Sequence, residues 1–219
     1  MSPEFLLPVE FDLGAVFLFA LTGAWVAIRR GYDIVGVFTL ALVAGVGGGL
    51  MRDGLFLQHG TPAFMQDPRY IYAVLAATLV GAATFLVAQR VERLVAAVDA
   101  LGLGIYGVVG TQKALAAGLT PAAAILVGVL NATGGGLIRD VLVREEPLLL
   151  KPGQYSVLVV LAGCILFNAV LHYVGLPMST AAWCAIGFVF TLRMLAIQFN
   201  WQTGSMRHLR WGRVSDDNR

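Results

Sequence analysis

Gly47-Gly48-Gly49-Leu50-Met51-Arg52-Asp53 returns as Gly134-Gly135-Gly136-Leu137-Ile138-Arg139-Asp140, 87 residues further along. The same offset carries Asp12 onto Asp99 and Gly23 onto Gly110. Self-similarity at one fixed spacing identifies a duplicated structural unit before any single motif is interpreted. Both copies sit in apolar sequence. The 219-residue chain is 58% hydrophobic and 13% charged, with a mean hydropathy of +0.78, about half the charged share of a soluble domain. That composition excludes a water-soluble globule. Together with 26 glycines, which packed membrane helices tolerate and use, it indicates a small all-α polytopic membrane protein.

A bilayer-spanning helix needs about 20 apolar residues. Working outward from the repeated stretch, seven runs qualify: 13–28, 34–51, 70–89, 100–115, 121–138, 155–173 and 180–197. Glycine, proline and arginine punctuate the gaps between them. The repeated stretches close the second and fifth runs, so runs one to three and four to six are copies of one unit. Three spans per unit is an odd number, and the second copy must therefore enter the membrane from the opposite side. The expected architecture is two inverted three-helix repeats plus a seventh helix. Its divisions are 1–97, 98–175, 176–200 for the seventh span, and a basic tail at 201–219. The N-terminus opens acidic, with Glu4, Glu10 and Asp12, so the first run reads as a retained span rather than a cleavable signal. Lysine and arginine fall 12 to 3 in favour of one side; by the positive-inside bias the N-terminus is outside and the C-terminus cytoplasmic.

Inverted repeats place permeation sites near the midplane, where glycine-interrupted helices of the two halves meet. Gly47, Gly48, Gly49, Gly134, Gly135 and Gly136 are thus expected as helix-kink positions, since glycine weakens helix continuity. Arg52 and Asp53 each follow a glycine by four residues, as do Arg139 and Asp140, and apolar sequence resumes after them. Charges at mid-depth cost about 2.5–3.5 kcal/mol each on insertion scales unless paired or hydrated. Either they line a polar path or the arginines snorkel to an interface. Neighbouring residues on a helix point apart, so cross-repeat pairs are expected: Arg52 with Asp140 and Arg139 with Asp53.

Other residues divide along the same line. Lys113 is an unmatched charge, its counterpart in the first repeat being Val26; it either snorkels or pairs with Asp33, Asp53 or a pore water. Thr22, Asn131 and Thr133 either bond across helices or line the path. Gly104, Gly107 and Gly110 form a close-packing stripe. Cys164 and Cys184 read as free core thiols without metal-ligand spacing. His59, His172 and His208 stand singly, so no metal site and no cofactor are expected. Arg207, Arg210 and Arg213 recur beside Trp201 and Trp211, which suits anionic lipid headgroups. A net charge of +2 without a basic face argues against nucleic acid. No serine or cysteine lies near a histidine with a supporting carboxylate, so the chain does not read as an enzyme.

The phrase Phe19-Ala20-Leu21-Thr22-Gly23-Ala24, the paired glycine-arginine-aspartate motifs, and Asp99-Ala100-Leu101-Gly102-Leu103-Gly104 running into Gly110-Thr111-Gln112-Lys113-Ala114 closely resemble the bacterial relatives of the trimeric intracellular cation (TRIC) channels. The resemblance extends from about residue 12 to residue 193. It implies a homotrimer with one pore per protomer and a potassium-permeable, monovalent-cation conductance in the bacterial inner membrane. It also implies a pore lined by the second and fifth spans, with Arg52, Asp53, Arg139, Asp140 and Lys113 among its polar lining. A secondary transporter of a small solute such as an amino acid, working by alternating access, is the alternative use of the same repeat.

Overall fold

The computed structural model describes residues 7–58, 60–90, 92–147, 149–150, 155–199 and 201. Its helices are α1 (Val9–Arg29), α2 (Ile34–Met51) running into a π-helical segment π1 (Arg52–Leu57), a short α3 (Ala63–Gln66), α4 (Arg69–Arg90), α5 (Glu92–Ala116), α6 (Pro121–Leu142), α7 (Ser156–Ala169) running into π2 (Val170–Val174), and α8 (Met178–Gln198). Taking α2 with π1 and α7 with π2, 7 helices among the described residues are long and apolar enough to cross a membrane; the protein is an integral membrane protein. All seven expected spans are present. The largest difference is at the fourth, which begins at Glu92 rather than near residue 100, ahead of the division drawn at 98. Charged residues at its start shortened the apolar run; of these, Arg93 and Asp99 line a cavity. His59 and the tail 202–219 with His208, Arg207, Arg210, Arg213 and Trp211 lie outside the described residues.

The two repeats use equivalent punctuation. Helices α1 and α5 end at Gly31 (φ +73°) and Gly118 (φ +84°), left-handed positions that glycine adopts without steric cost. The next helices open on equivalent N-caps: Asp33 accepts from the Gly36 amide at 2.8 Å, and Thr120 from the Ala123 amide at 3.4 Å, each satisfying a donor the helix leaves open. Within each repeat all three spanning helices touch one another: α1 with α2 and α4, and α5 with α6 and α7. The halves meet through α1 against α5 and α2 against α6, while α8 packs on α5 and α7.

Glycine makes these contacts possible, and the contacts themselves are two-fold related. A Cβ on Gly48 would stand 2.1 Å from the Asn131 carbonyl oxygen, and one on Gly135 would stand 2.2 Å from that of Ala44. The offset of 87 exchanges these two contacts, as it does Gly23 against Ala44 with Gly110 against Asn131. Phe19 and Tyr106, themselves equivalent positions, stack at 5.3 Å between centroids and 18° between planes. The pseudo-two-fold axis therefore passes between these rings and the α2–α6 crossing. The triplets expected as interruptions lie in continuous α-helix; close backbone approach, not loss of helix, is what they provide. The glycine stripe of α5 meets three different helices: Gly104 faces Ile186 of α8, Gly107 faces Val160 of α7, and Gly110 faces Asn131 of α6. Of the two thiols, Cys164 is buried and Cys184 exposed. The reading of both as core residues is corrected for Cys184, which lies on the outward face of α8.

Candidate functional site

The third glycine of each triplet has a separate role. Its nearest neighbour is the motif's own arginine: a Cβ on Gly49 would lie 3.6 Å from Arg52 Nη2, and one on Gly136 would lie 3.8 Å from Arg139 Nη2. Helical side chains lean toward the N-terminus, so glycine at this position lets the guanidinium lie flat along its own helix. Its Nε edge then faces the following aspartate. Arg52 Nε and Nη2 donate to Asp53 Oδ1 and Oδ2 at 2.7 and 3.0 Å, and Arg139 Nε and Nη2 approach Asp140 Oδ1 at 2.9 and 2.8 Å. The expected pairs Arg52 with Asp140 and Arg139 with Asp53 are thereby corrected. Each arginine is held by its own neighbour, because a long planar fork can reach around the helix where a short side chain cannot.

Around Arg52 the sequence-separated partners converge. Its guanidinium is 1% exposed and also reaches Asp12 at 3.3 and 3.4 Å and the Asn131 side-chain oxygen at 3.4 Å. Asp12 Oδ2 further accepts from the Tyr70 hydroxyl at 2.8 Å and from Lys113 Nζ at 2.6 Å. The lysine expected to pair with Asp33 or Asp53 thus pairs with Asp12. Asn131 in turn donates to the Tyr106 carbonyl at 2.6 Å, and the Tyr106 hydroxyl to the Gly45 carbonyl at 2.5 Å. Two cations and two anions cancel here, which is what keeps a buried cluster tolerable in low dielectric. The backbone amide of Ala63 donates to Asp53 at 3.1 Å, tying the α3 loop over the cluster. A cavity of only about 10 Å³ remains among Asp12, Arg52, Asp53, Phe64 and Tyr106.

The opposite end is built differently. Arg139 Nη1 donates to the Thr22 hydroxyl at 3.0 Å, and Thr22 donates onward to the Phe19 carbonyl at 2.9 Å. A cavity of about 30 Å³ lies beside Phe19, Asp99, Thr133, Arg139 and Ser156. Next to it a vestibule of about 490 Å³ is walled by Trp25, Val26 and Arg29 of α1, Arg93 and Asp99 of α5, Arg139 of α6 and Arg193 of α8. Glu145 on its rim is paired with Arg30. Asp99, the counterpart of the tightly held Asp12, makes no ion pair within 4 Å among the described residues. Phe19 forms part of one small cavity and Tyr106 part of the other, so the stacked pair stands between the two ends.

Thr22 and Asn131 are therefore bridges between repeats, and Thr133 lines the 30 Å³ cavity beside Arg139 while bonding back to the Val129 carbonyl at 2.8 Å. Sequence reasoning missed Tyr70, Tyr106 and Arg193, and treated Asp12 and Asp99 only as markers of the repeat. The offset had already singled out both aspartates, each an acid at the threshold of an apolar run. Thr22→Val, which keeps the volume but removes the acceptor of Arg139 Nη1, is expected to cost about 1–3 kcal/mol. Thermal unfolding of the solubilised protein should fall by about 2–4 °C per kcal/mol, and Thr22→Ser should restore it. An unchanged midpoint in Thr22→Val would show that the bridge is dispensable.

The family model described as Glycine transporter matches the chain twice, at residues 10–88 and 96–172, in step with the two repeats. The UPF0126 inner membrane protein YadS of Escherichia coli K12 is 30% identical over 194 residues, 86% of this chain and 91% of its own length. The UPF0126 membrane protein YvgT of Bacillus subtilis 168 is 31% identical over 188 residues, 85% of this chain and 90% of its own length. Among solved structures, the TRIC trimeric intracellular cation channel orthologue from Rhodobacter sphaeroides superposes with a TM-score of 0.81 at 32% identity, covering 87% of this chain and 97% of its own. A TRIC cation channel solved to explain conductance superposes at 0.78 with 27% identity, covering 90% and 95%. These structural neighbours are channels rather than enzymes.

Proposed function

Because this chain belongs to the glycine-transporter family and is a bacterial member of the TRIC family, we propose that it is a monovalent-cation channel permeable to potassium. Each protomer carries one pore, and three protomers assemble as a homotrimer in the inner membrane, with the N-terminus outside and the C-terminus cytoplasmic. One observation carries the reading: between α1, α2, α5 and α6, a charge-compensated cluster at one end lies in line with a 490 Å³ vestibule at the other.

A cation entering the vestibule meets Asp99, with Arg139 neutralised by Asp140 and Glu145 by Arg30. It then reaches the Phe19–Tyr106 stack and the Asp12 cluster. In this conformation that outer end is shut: Lys113 and Arg52 occupy the oxygens of Asp12 that a dehydrating cation would need. Helices α2 and α6 contribute the arginine-aspartate motifs, and α1 and α5 complete the walls. The crossing glycines Gly48 and Gly135 fix the geometry on which both rely. Opening separates Lys113 from Asp12, which is the gating step.

Purified protein in planar bilayers is expected to give unitary potassium currents, with sodium passing and chloride largely excluded. Silence across a wide voltage range would sink the reading. A second reading, slow transport of a small zwitterion such as an amino acid, is favoured by the family description and by a vestibule that offers Asp99 for an ammonium beside Arg139. Saturable uptake of labelled glycine without unitary current would select it.

A further inference from the structure

The repeat equates Asp12 with Asp99, but the two carboxylates are supplied with cations in different ways. Asp12 receives Lys113 from α5 at 2.6 Å. The first-repeat counterpart of Lys113 is Val26, and Val26 is part of the wall of the vestibule that contains Asp99. Where symmetry would bring a lysine to Asp99 there is an isopropyl group. Helix α8, which belongs to neither repeat, packs on α5 and brings Arg193 into the same vestibule. Arg193 is 4% exposed, a charge held inside an otherwise apolar segment, where cations are tolerated only when paired or hydrated.

We infer that Arg193 is the inner gating residue: it closes on Asp99 as Lys113 closes on Asp12, so that the seventh helix supplies a second, independent latch that the duplication lacks, and the path conducts when both are released. In the present conformation the outer latch is made. The inner one is open, since Asp99 has no ion pair within 4 Å among the described residues, while the vestibule holds about 490 Å³. Arg193 acts through Asp99 and is a positioning residue, distinct from the permeation residues proposed above. The inference rests on the channel reading for its purpose, but its test does not depend on current.

Val26→Cys, in a background with Cys164→Ala and Cys184→Ala, places a thiol in the vestibule. In nanodiscs, where both faces meet solvent, its reaction with a charged, water-soluble methanethiosulfonate reports how often the vestibule is open. Arg193→Gln should raise the modification rate at least threefold, and Asp99→Asn should do the same. Arg193→Lys should stay within twofold of the parent, and the exchange Arg193→Asp with Asp99→Arg should return toward it. Equal rates in parent, Arg193→Gln and Asp99→Asn would overturn the latch, as would an exchange that stays as fast as the single variants. Absent potassium current with these rate changes intact would count against the channel reading alone.

Discussion

Gly48→Ala and Gly135→Ala are each expected to abolish conduction and to lower the melting midpoint of the solubilised protein by roughly 6–12 °C. The added methyl would stand 2.1 Å from a backbone oxygen of α6 in the first case and 2.2 Å from one of α2 in the second. Neither obstacle can rotate away as a side chain could. The helices must separate, and overpacking of this kind costs up to about 3 kcal/mol, at about 2–4 °C per kcal/mol for a chain of this size. Since the two contacts are related by the pseudo-two-fold, the two losses should be similar in size. Gly187→Ala on α8 supplies the comparison: its Cβ would meet open space, and alanine favours helix by up to about 1 kcal/mol. A midpoint for Gly48→Ala equal to that of the parent would show that the crossing is not tightly packed.

Substitutions at the Asp12 cluster should separate stability from gating. Asp12→Ala leaves Arg52, Tyr70 and Lys113 without their shared acceptor, and breaking a buried ionic set by removing one partner costs about 3–5 kcal/mol; little folded protein is expected. Lys113→Met is milder. Its side chain is 28% exposed, and Asp12 retains Arg52 and Tyr70. What is lost is the cross-repeat latch, a charged hydrogen bond contributing about 1.5–3 kcal/mol, so the open-to-closed ratio should rise about 10- to 100-fold. A unit charge across 100 mV gains about 2.3 kcal/mol, the same size as the latch, so voltage should govern the parent channel more steeply than Lys113→Met. Single-channel recordings giving the same open probability in both would remove Lys113 from the gate.

The architecture was legible because it rests on residues that cannot be substituted quietly. Glycines 87 residues apart, the acids at 12 and 99, and the breaks at Gly31 and Gly118 all mark backbone requirements, and these survive in sequence as identities. The purpose of the glycines was less legible. A triplet in an apolar run reads equally as a hinge or as a crossing point, and only the partner helix decides; here it decides for crossing in the first two glycines and for the arginine in the third. The ion pairs were misassigned for a related reason. Helical geometry separates adjacent Cβ atoms, but it does not limit a guanidinium that lies along the helix over a glycine. Tyr70 and Tyr106 left no signal, since a tyrosine in an apolar run is ordinary until its hydroxyl finds a buried acceptor. Arg193 was counted only as an orienting charge, because it belongs to neither repeat and the offset could not point to it.

The Arg52 cluster also bears on how the chain is made. Asp12, Arg52, Asp53 and Tyr70 all belong to the first three spans, whereas Asn131 and Lys113 belong to the second three. At about 5–20 residues per second, the ribosome needs several seconds to deliver the second glycine triplet after the first. During that interval the first half can already neutralise its own membrane-buried arginine. It does not have to wait for its twin to cover that arginine; what the later half brings is Lys113, the cation that balances the carboxylate left over.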